Sequence, residues 1–194
     1  MEINTRIQVE HTVIKEVTGI DIVRWQMLVA AGHELLFEHT DVDIEGHVIE
    51  HRINAENPAN DFVPTPGPLE TYDPPSSIGM RLDHAVSYGD EIGGNYDSMI
   101  AKLVVRPADR DRCLECSRRA LEHFTVEGVH TTIPFHRLML EDAVFLAGEQ
   151  ITKYLDSDGG EKDIAAAVER RGGETATSDG SDTETHELTV EVDD

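Results

Sequence analysis

Lysine is scarce in this 194-residue chain: Lys15, Lys102, Lys153 and Lys162 are the only four, against 12 arginines. The 16 bases face 39 acids, which leaves a formal charge of −23 and a pI near 4.6. So acidic a surface repels polyanions, and this excludes a basic nucleic-acid-binding module or adhesion to anionic membranes. Long apolar runs are missing too. Nothing approaches the roughly 20 residues of a membrane span, and no signal-peptide pattern opens the sequence, so a soluble, cytoplasmic protein is expected. Cysteine is confined to Cys113 and Cys116, a lone CxxC inside a helical pattern. A zinc or redox site would need a second pair or a strand-to-helix context, so a structural role in a reducing compartment is expected. What remains, with 39% hydrophobic residues, suffices for one domain or one and a fraction.

The acidic excess is not confined to one end. Residues 156–194 carry 13 acids and 3 bases, yet residues 1–155 still carry 26 and 13. Concentrated salt screens repulsion of this size, so a halophilic cytoplasm is the preferred source, with a mesophilic acidic protein as the alternative.

Residues 1–11 alternate with period two. An extended chain would put Glu2, Asn4, Arg6, Gln8 and Glu10 on one side and Ile3, Thr5, Ile7 and Val9 on the other. A short helix over 12–18 ends at Gly19, and Asp21 caps a stronger one with Ile22, Trp25, Leu28 and Val29 on one face and a stop at Gly32. From Glu45 to Arg106 the pattern is strand and turn, with strands expected over 46–55, 69–72, 80–86 and 98–106 and breaks at Asn57-Pro58 and Pro64–Pro68. Asp109 caps a helix to Phe124 that packs through Leu114, Ala120, Leu121 and Phe124. Further helices are expected over 131–140 and 151–155. After Asp156 the Gly, Ser, Thr and acid-rich composition buries too little apolar surface to stay ordered, although His186–Val192 alternates again like a strand. The fold class expected is α+β.

The opening alternation carries the most chemistry. Glu2 with Asn4 offers oxygen ligands to a hard cation such as Mg²⁺, Arg6 offers a planar fork to a small oxyanion, and Glu10 could take a proton from that anion. A polar strand face is also what plain solvent exposure produces. Arg52 shares a strand face with Glu50 and Asn54, and by its residues alone it reads as an ordinary surface or ion-paired arginine. His47 and His51 are four apart, which in a strand does not converge on a metal, so the histidines stay unassigned.

Five blocks in one order and spacing resemble the carboxyl-terminal part of biotin carboxylase, the ATP-grasp component of acetyl-CoA, propionyl-CoA and pyruvate carboxylases. They are Glu2 to His11; Thr18-Gly19-Ile20-Asp21; Gly46-His47 with Arg52-Ile53-Asn54-Ala55-Glu56; Pro64-Thr65-Pro66-Gly67; and Tyr96-Asp97-Ser98-Met99-Ile100-Ala101-Lys102. Asn57, where the family pattern has Asp, is a minor departure. The resemblance implies the end of an ATP-grasp domain over 1–45, incomplete, the biotin carboxylase C-terminal domain over 46–155 with an antiparallel sheet packed by helices, and a disordered acidic linker or tail over 156–194. It implies carboxylation of carrier-bound biotin from ATP and bicarbonate by way of carboxyphosphate. On that resemblance Glu2 and Asn4 look like the Mg²⁺ (or Mn²⁺) ligands, Arg6, Gln8 and the Val9 backbone like the bicarbonate contacts, and Glu10 like the general base. Arg52 looks like the residue that stabilises the biotin enolate, which overturns its plain surface reading.

The implied cofactors are ATP, Mg²⁺ and biotin on a carrier protein. The implied partners are that carrier domain, a carboxyltransferase subunit, the missing N-terminal half of the enzyme and a second copy, with Arg81 as a surface candidate for the dimer. The family's nucleotide-binding lid and lysines have no counterpart here, so Met1 is expected to be an internal methionine and the chain inactive alone. Two alternatives stay open: a non-catalytic module that docks a carrier or partner subunit, and another ATP-grasp ligase.

Overall fold

The computed structural model describes residues 3–151, 153–155, 165, 166 and 168. Two helices open it, α1 (His11–Thr18) and α2 (Ile22–Ala30). Between them Gly19 takes the left-handed conformation and Asp21 caps α2 by accepting from the Arg24 amide at 3.0 Å. That side-chain acceptor satisfies one of the orphan donors at a helix start. Gly32, at φ 89°, follows the end of α2 as the sequence implies. The Trp25 and Phe37 rings meet edge to face, 5.2 Å apart, and line an open apolar groove with Ile20, Ile22 and Val29.

A strand-rich body follows, with β1 (Ile49–Asn54), β2 (Glu56–Asn57), β3 (Val63–Pro64), β4 (Gly67–Pro68), β5 (Thr71–Asp73), β6 (Met80–His84), β7 (Glu91–Ile92) and β8 (Met99–Val105). Then come α3 (Arg110–Glu122), β9 (Thr125–Glu127), α4 (Ile133–Met139) and α5 (Ala143–Ala147). Strands β1, β8 and β6 form an antiparallel sheet in that order, while β2 with β3, β4 with β7 and β5 with β9 form two-stranded ladders. The architecture is the mixed α and β one expected, with antiparallel sheets.

Register gives the central sheet two unlike faces. Ile53 lies opposite Ala101, His51 opposite Leu103 and Ile49 opposite Val105, and this side packs on Cys113, Leu114, Ala120 and Leu121 of α3. The other side carries Glu50 and Arg52 of β1, Lys102 of β8 and Arg81 and Asp83 of β6, facing α1 and the segment before it. Such alternation is what a period of two requires of a strand that is apolar on one side.

Several expectations are corrected. Residues 3–10 form no strand: the chain is irregular to Gln8 and turns at Val9 and Glu10 into α1, and Ile3 is 88% exposed. Alternation alone does not make a strand without a partner for its backbone groups. The strand expected from Gly46 starts at Ile49, because Gly46 turns at φ 75° with Pro107 O only 2.6 Å from where a Cβ would stand. Residues 153–155 form a turn and a bend, not a helix, and the helical turn lies earlier, at α5, between the Asp142 cap and left-handed Gly148. Strand β9 had no counterpart in the sequence reading. Glu2, the acidic tail and the alternating His186–Val192 lie outside the described residues, apart from Ala165, Ala166 and Val168, which are helical.

His51 sits in the apolar side of the sheet, 4% exposed and hydrogen-bonded at 2.9 Å to the buried Ser117 hydroxyl. Burial, with His136 close by, pushes its pKa down to about 3. The unfolded chain therefore binds a proton that the folded one refuses, so the contribution of His51 to stability is full above about pH 6.5 and is lost progressively as the pH falls below it. Urea midpoints measured between about pH 6.5 and 5 should decline steadily, and His51→Gln should decline less steeply. Equal slopes would contradict a neutral buried His51.

Candidate functional site

The charged face of the central sheet and the segment before α1 meet at one ion pair. Arg52 Nη2 lies 2.9 Å from Glu10 Oε2, and Arg52 Nε lies 3.3 Å from Glu50 Oε1. The two groups of the first pair are each about half exposed, so solvent can reach them. Glu50 is different: its side chain is 5% exposed and accepts a hydrogen bond from the fully buried Thr12 hydroxyl. This contact pins the first turn of α1 to β1. It thereby brings Glu10, at the start of α1, to a guanidinium 42 residues further along the chain.

Arg52 itself is anchored from behind. Its carbonyl accepts two hydrogen bonds, from Thr132 Oγ1 at 2.8 Å and from His136 Nε2 at 2.8 Å. A carbonyl only accepts, so His136 carries its proton on Nε2. The Asn54 amide donates back to Thr132 Oγ1 at 3.1 Å. Beyond it Asn54 Nδ2 donates to Glu56 Oε1 at 2.9 Å, and Ser98 Oγ donates to the same oxygen. The blocks around Arg52 and Ser98 therefore converge, as cross-strand neighbours of β1 and β8.

Electrostatics favour an ionised Glu10. Its own backbone amide, and after it the Arg52 charge and hydrogen bond, hold the carboxyl below the ordinary carboxylate range, and Arg6 adds a smaller attraction. Glu10 is thus a carboxylate paired with the Arg52 guanidinium, with Arg6 contributing only a weak attraction. Arg6 is exposed, with Nη1 donating to the Ile7 carbonyl at 3.2 Å. Gln8 and Val9 are half-buried. The Gln8 carbonyl accepts from the His11 ring at 2.8 Å, and the Val9 carbonyl accepts from Lys102 Nζ at 3.5 Å.

Of the residues singled out in the sequence, the structure brings Glu10 and Arg52 into contact, with Gln8 and Val9 in the segment that leads into α1; Arg6 lies exposed in the same segment and acts on Glu10 only through a weak attraction. Asn4 is exposed, and Glu2 is outside the described residues. Among the described residues no group of three or more His, Cys, Asp or Glu side chains is placed to hold a metal ion. Cys113 is buried, its thiol donates to the Val105 carbonyl at 3.3 Å, and burial pushes its pKa up to about 11, which fits a packing role. No motif in the sequence singles out Thr12 or Asp83, while Glu50 enters it only as a face-neighbour of Arg52 and Lys102 only as the end of the Tyr96 block. Period two puts Glu50 beside Arg52 on one face, so Glu50 was within reach, but the partnership of Lys102 and Asp83 depends on a register no local pattern fixes. No helix among the described residues is long and apolar enough to cross a membrane.

Comparison with known proteins bears on this geometry. The family model of the biotin carboxylase C-terminal domain matches residues 50–157, and that of the carbamoyl-phosphate synthase L chain ATP-binding domain matches residues 1–37. The chain is 48% identical over 157 residues to biotin carboxylase 1 of Bacillus subtilis, covering 81% of this chain and 35% of that protein. It is 41% identical over 155 residues to the biotin carboxylase of Halalkalibacterium halodurans, covering 80% of this chain and 34% of that one. Among solved structures, the biotin carboxylase domain dimer of the Hydrogenobacter thermophilus 2-oxoglutarate carboxylase, in complex with MgADP, ADP and bicarbonate, superposes with a TM-score of 0.76 at 44% identity. That match covers 79% of this chain and 34% of that one. The chain thus spans about a third of the length of these relatives.

Proposed function

Because the chain belongs to the family of the biotin carboxylase C-terminal domain, we propose that it is the carboxyl-terminal part of a biotin carboxylase and turns over only with an ATP-grasp portion. The observation that carries this reading is the solvent-accessible Glu10–Arg52 ion pair at the rim of the charged sheet face. Residues 1–45 are then the end of an ATP-grasp domain, 46–155 the carboxylase C-terminal domain and 156–194 an acidic linker toward a biotinyl carrier domain. The parent enzyme serves an acetyl-CoA, propionyl-CoA or pyruvate carboxylase, and its carboxyltransferase subunit chooses the acceptor.

In this reading Arg6 presents two parallel N–H donors to planar bicarbonate, with Gln8 and the Val9 backbone completing its cradle. Glu10 removes the bicarbonate proton as an oxygen attacks the terminal phosphate of ATP, giving carboxyphosphate and ADP. Carboxyphosphate breaks down to carbon dioxide and phosphate, the released phosphate takes the N1′ proton of biotin, and the resulting N1′ anion attacks the carbon dioxide. Arg52 meets the negative charge that develops on the ureido oxygen, which a fixed guanidinium stabilises strongly where water is excluded. While Arg52 pairs with Glu10 it makes that carboxylate a weaker base; turning Arg52 toward biotin restores its basicity. Mg²⁺ or Mn²⁺ supplied with ATP would neutralise phosphate charge. Asn4, with Glu2, is proposed to reach it, and no step above runs through the metal.

The test is bicarbonate-dependent ATP hydrolysis and carboxylation of free biotin, measured with this chain joined to the ATP-grasp portion of a biotin carboxylase. Arg6→Ala should abolish bicarbonate-dependent turnover, and an unchanged rate would remove Arg6 from the site. Glu10→Gln should cut turnover by about a hundredfold or more with nucleotide binding intact, as for loss of a general base. Equal loss of nucleotide affinity would assign Glu10 a structural role. Failure of the joined protein to hydrolyse ATP in response to bicarbonate would favour the assembly-module alternative.

The spread of acidic charge over the body supports a haloarchaeal, salt-rich source. Thermal unfolding followed across potassium chloride concentrations should then show the chain unfolding as salt is withdrawn. Full stability in dilute buffer would contradict it.

A further inference from the structure

Lys102 stands in an unusual position for a cation. In register it lies directly between Arg52 on β1 and Asp83 on β6, and all three side chains point to the charged face. Like charges directly opposite on neighbouring strands are destabilising, so the Arg52–Lys102 pair needs a compensating reason. Nor is Lys102 free in solvent, since its side chain is 13% exposed. A largely buried ammonium requires partners.

Asp83 is one, at 3.6 Å, but Asp83 does not depend on Lys102. Arg81 already grips that carboxylate with two bonds, Nε to Oδ1 at 2.8 Å and Nη2 to Oδ2 at 2.9 Å, while its Nη1 reaches Glu16 of α1 at 3.1 Å. The other contact of Lys102 is the carbonyl of Val9, 3.5 Å away and 93 residues earlier in the chain. Val9 lies in the turn between Gln8 and Glu10, where backbone bonds run from the His11 amide to Gln8 O and from the Val13 amide to Glu10 O.

We infer that Lys102 is a positioning residue: held in the sheet beside Asp83, it anchors the Val9 carbonyl and so fixes the turn that aims Gln8 and Glu10. This rests on the proposed function only in taking that turn as the bicarbonate cradle. The sheet then sets the turn at three points, through Thr12 on Glu50, Glu10 on Arg52 and Val9 on Lys102. The last is the one that touches the backbone of the cradle itself.

Two readouts separate this from the reading beneath it. In the isolated chain, hydrogen exchange should quicken by about tenfold at the His11 and Val13 amides in Lys102→Met, with the Leu69 amide unchanged. Lys102→Arg, which keeps a cationic donor, should recover the protection. Exchange unchanged at His11 and Val13, or raised equally at Leu69, would overturn the inference. In the joined enzyme, Lys102→Met should raise the bicarbonate KM by about tenfold while the nucleotide KM stays as it was. Faster local exchange with an unchanged bicarbonate KM would uphold the anchor and overturn the assignment of the turn to bicarbonate.

Discussion

The sheet formed by β1, β8 and β6 has to be apolar on one side and charged on the other, and the rest of the molecule follows from that division. A slip of one residue would turn Arg52 and Lys102 into the core and Ile53 and Leu103 out of it. The apolar side fixes the register by burying Ile53, Ala101, Leu103 and Val105 against α3. The charged side uses the register, because side chains on it need one another as partners. Arg52 takes Glu10 and Glu50, Asp83 takes Arg81, and Lys102 takes a backbone carbonyl. Core packing by one set of residues thus sets the spacing of the functional set on the reverse.

Much of this was legible in the residues, for physical reasons that can be named. Gly19, Asp21 and Asp109 mark helix boundaries because a left-handed turn and an orphan amide each demand a particular side chain. The 98–106 run reads as a strand, and β8 occupies 99–105. The opening alternation misled as to structure: period two describes which residues share a side only where a neighbouring strand holds the backbone extended, and residues 3–10 turn instead. Strand β9 is three residues long and exists through its pairing with β5, which no local signal encodes. The α5 turn did carry a signal, Asp142 before it and Gly148 after it.

The site was legible as a list of residues and not as an assembly. Arg6, Gln8, Val9, Glu10 and Arg52 were named by chemistry and resemblance, yet nothing local places Glu10 against Arg52. That pairing depends on the Thr12–Glu50 contact and on the anchoring of the Arg52 carbonyl by Thr132 and His136. Each of these joins segments far apart in sequence. The resemblance corrected the plain reading of Arg52 as a surface arginine, and the structure supplies the reason, since its guanidinium projects from a sheet whose other face is core. Family membership explains why the blocks recur in one order. The chemistry proposed here depends on the Arg52 guanidinium and the Glu10 carboxylate sharing one site.

That sharing is measured most directly by the pH dependence of bicarbonate-dependent ATP hydrolysis in the joined enzyme, compared between the parent and Arg52→Gln. Behind its own backbone amide, Arg52 is the charge that lowers the Glu10 pKa. A base must be ionised to act, so activity is lost as the pH falls through that pKa. Removing Arg52 should move the acid limb to higher pH. An acid limb that stays where it was, at whatever rate, would show that Glu10 and Arg52 do not work as one site.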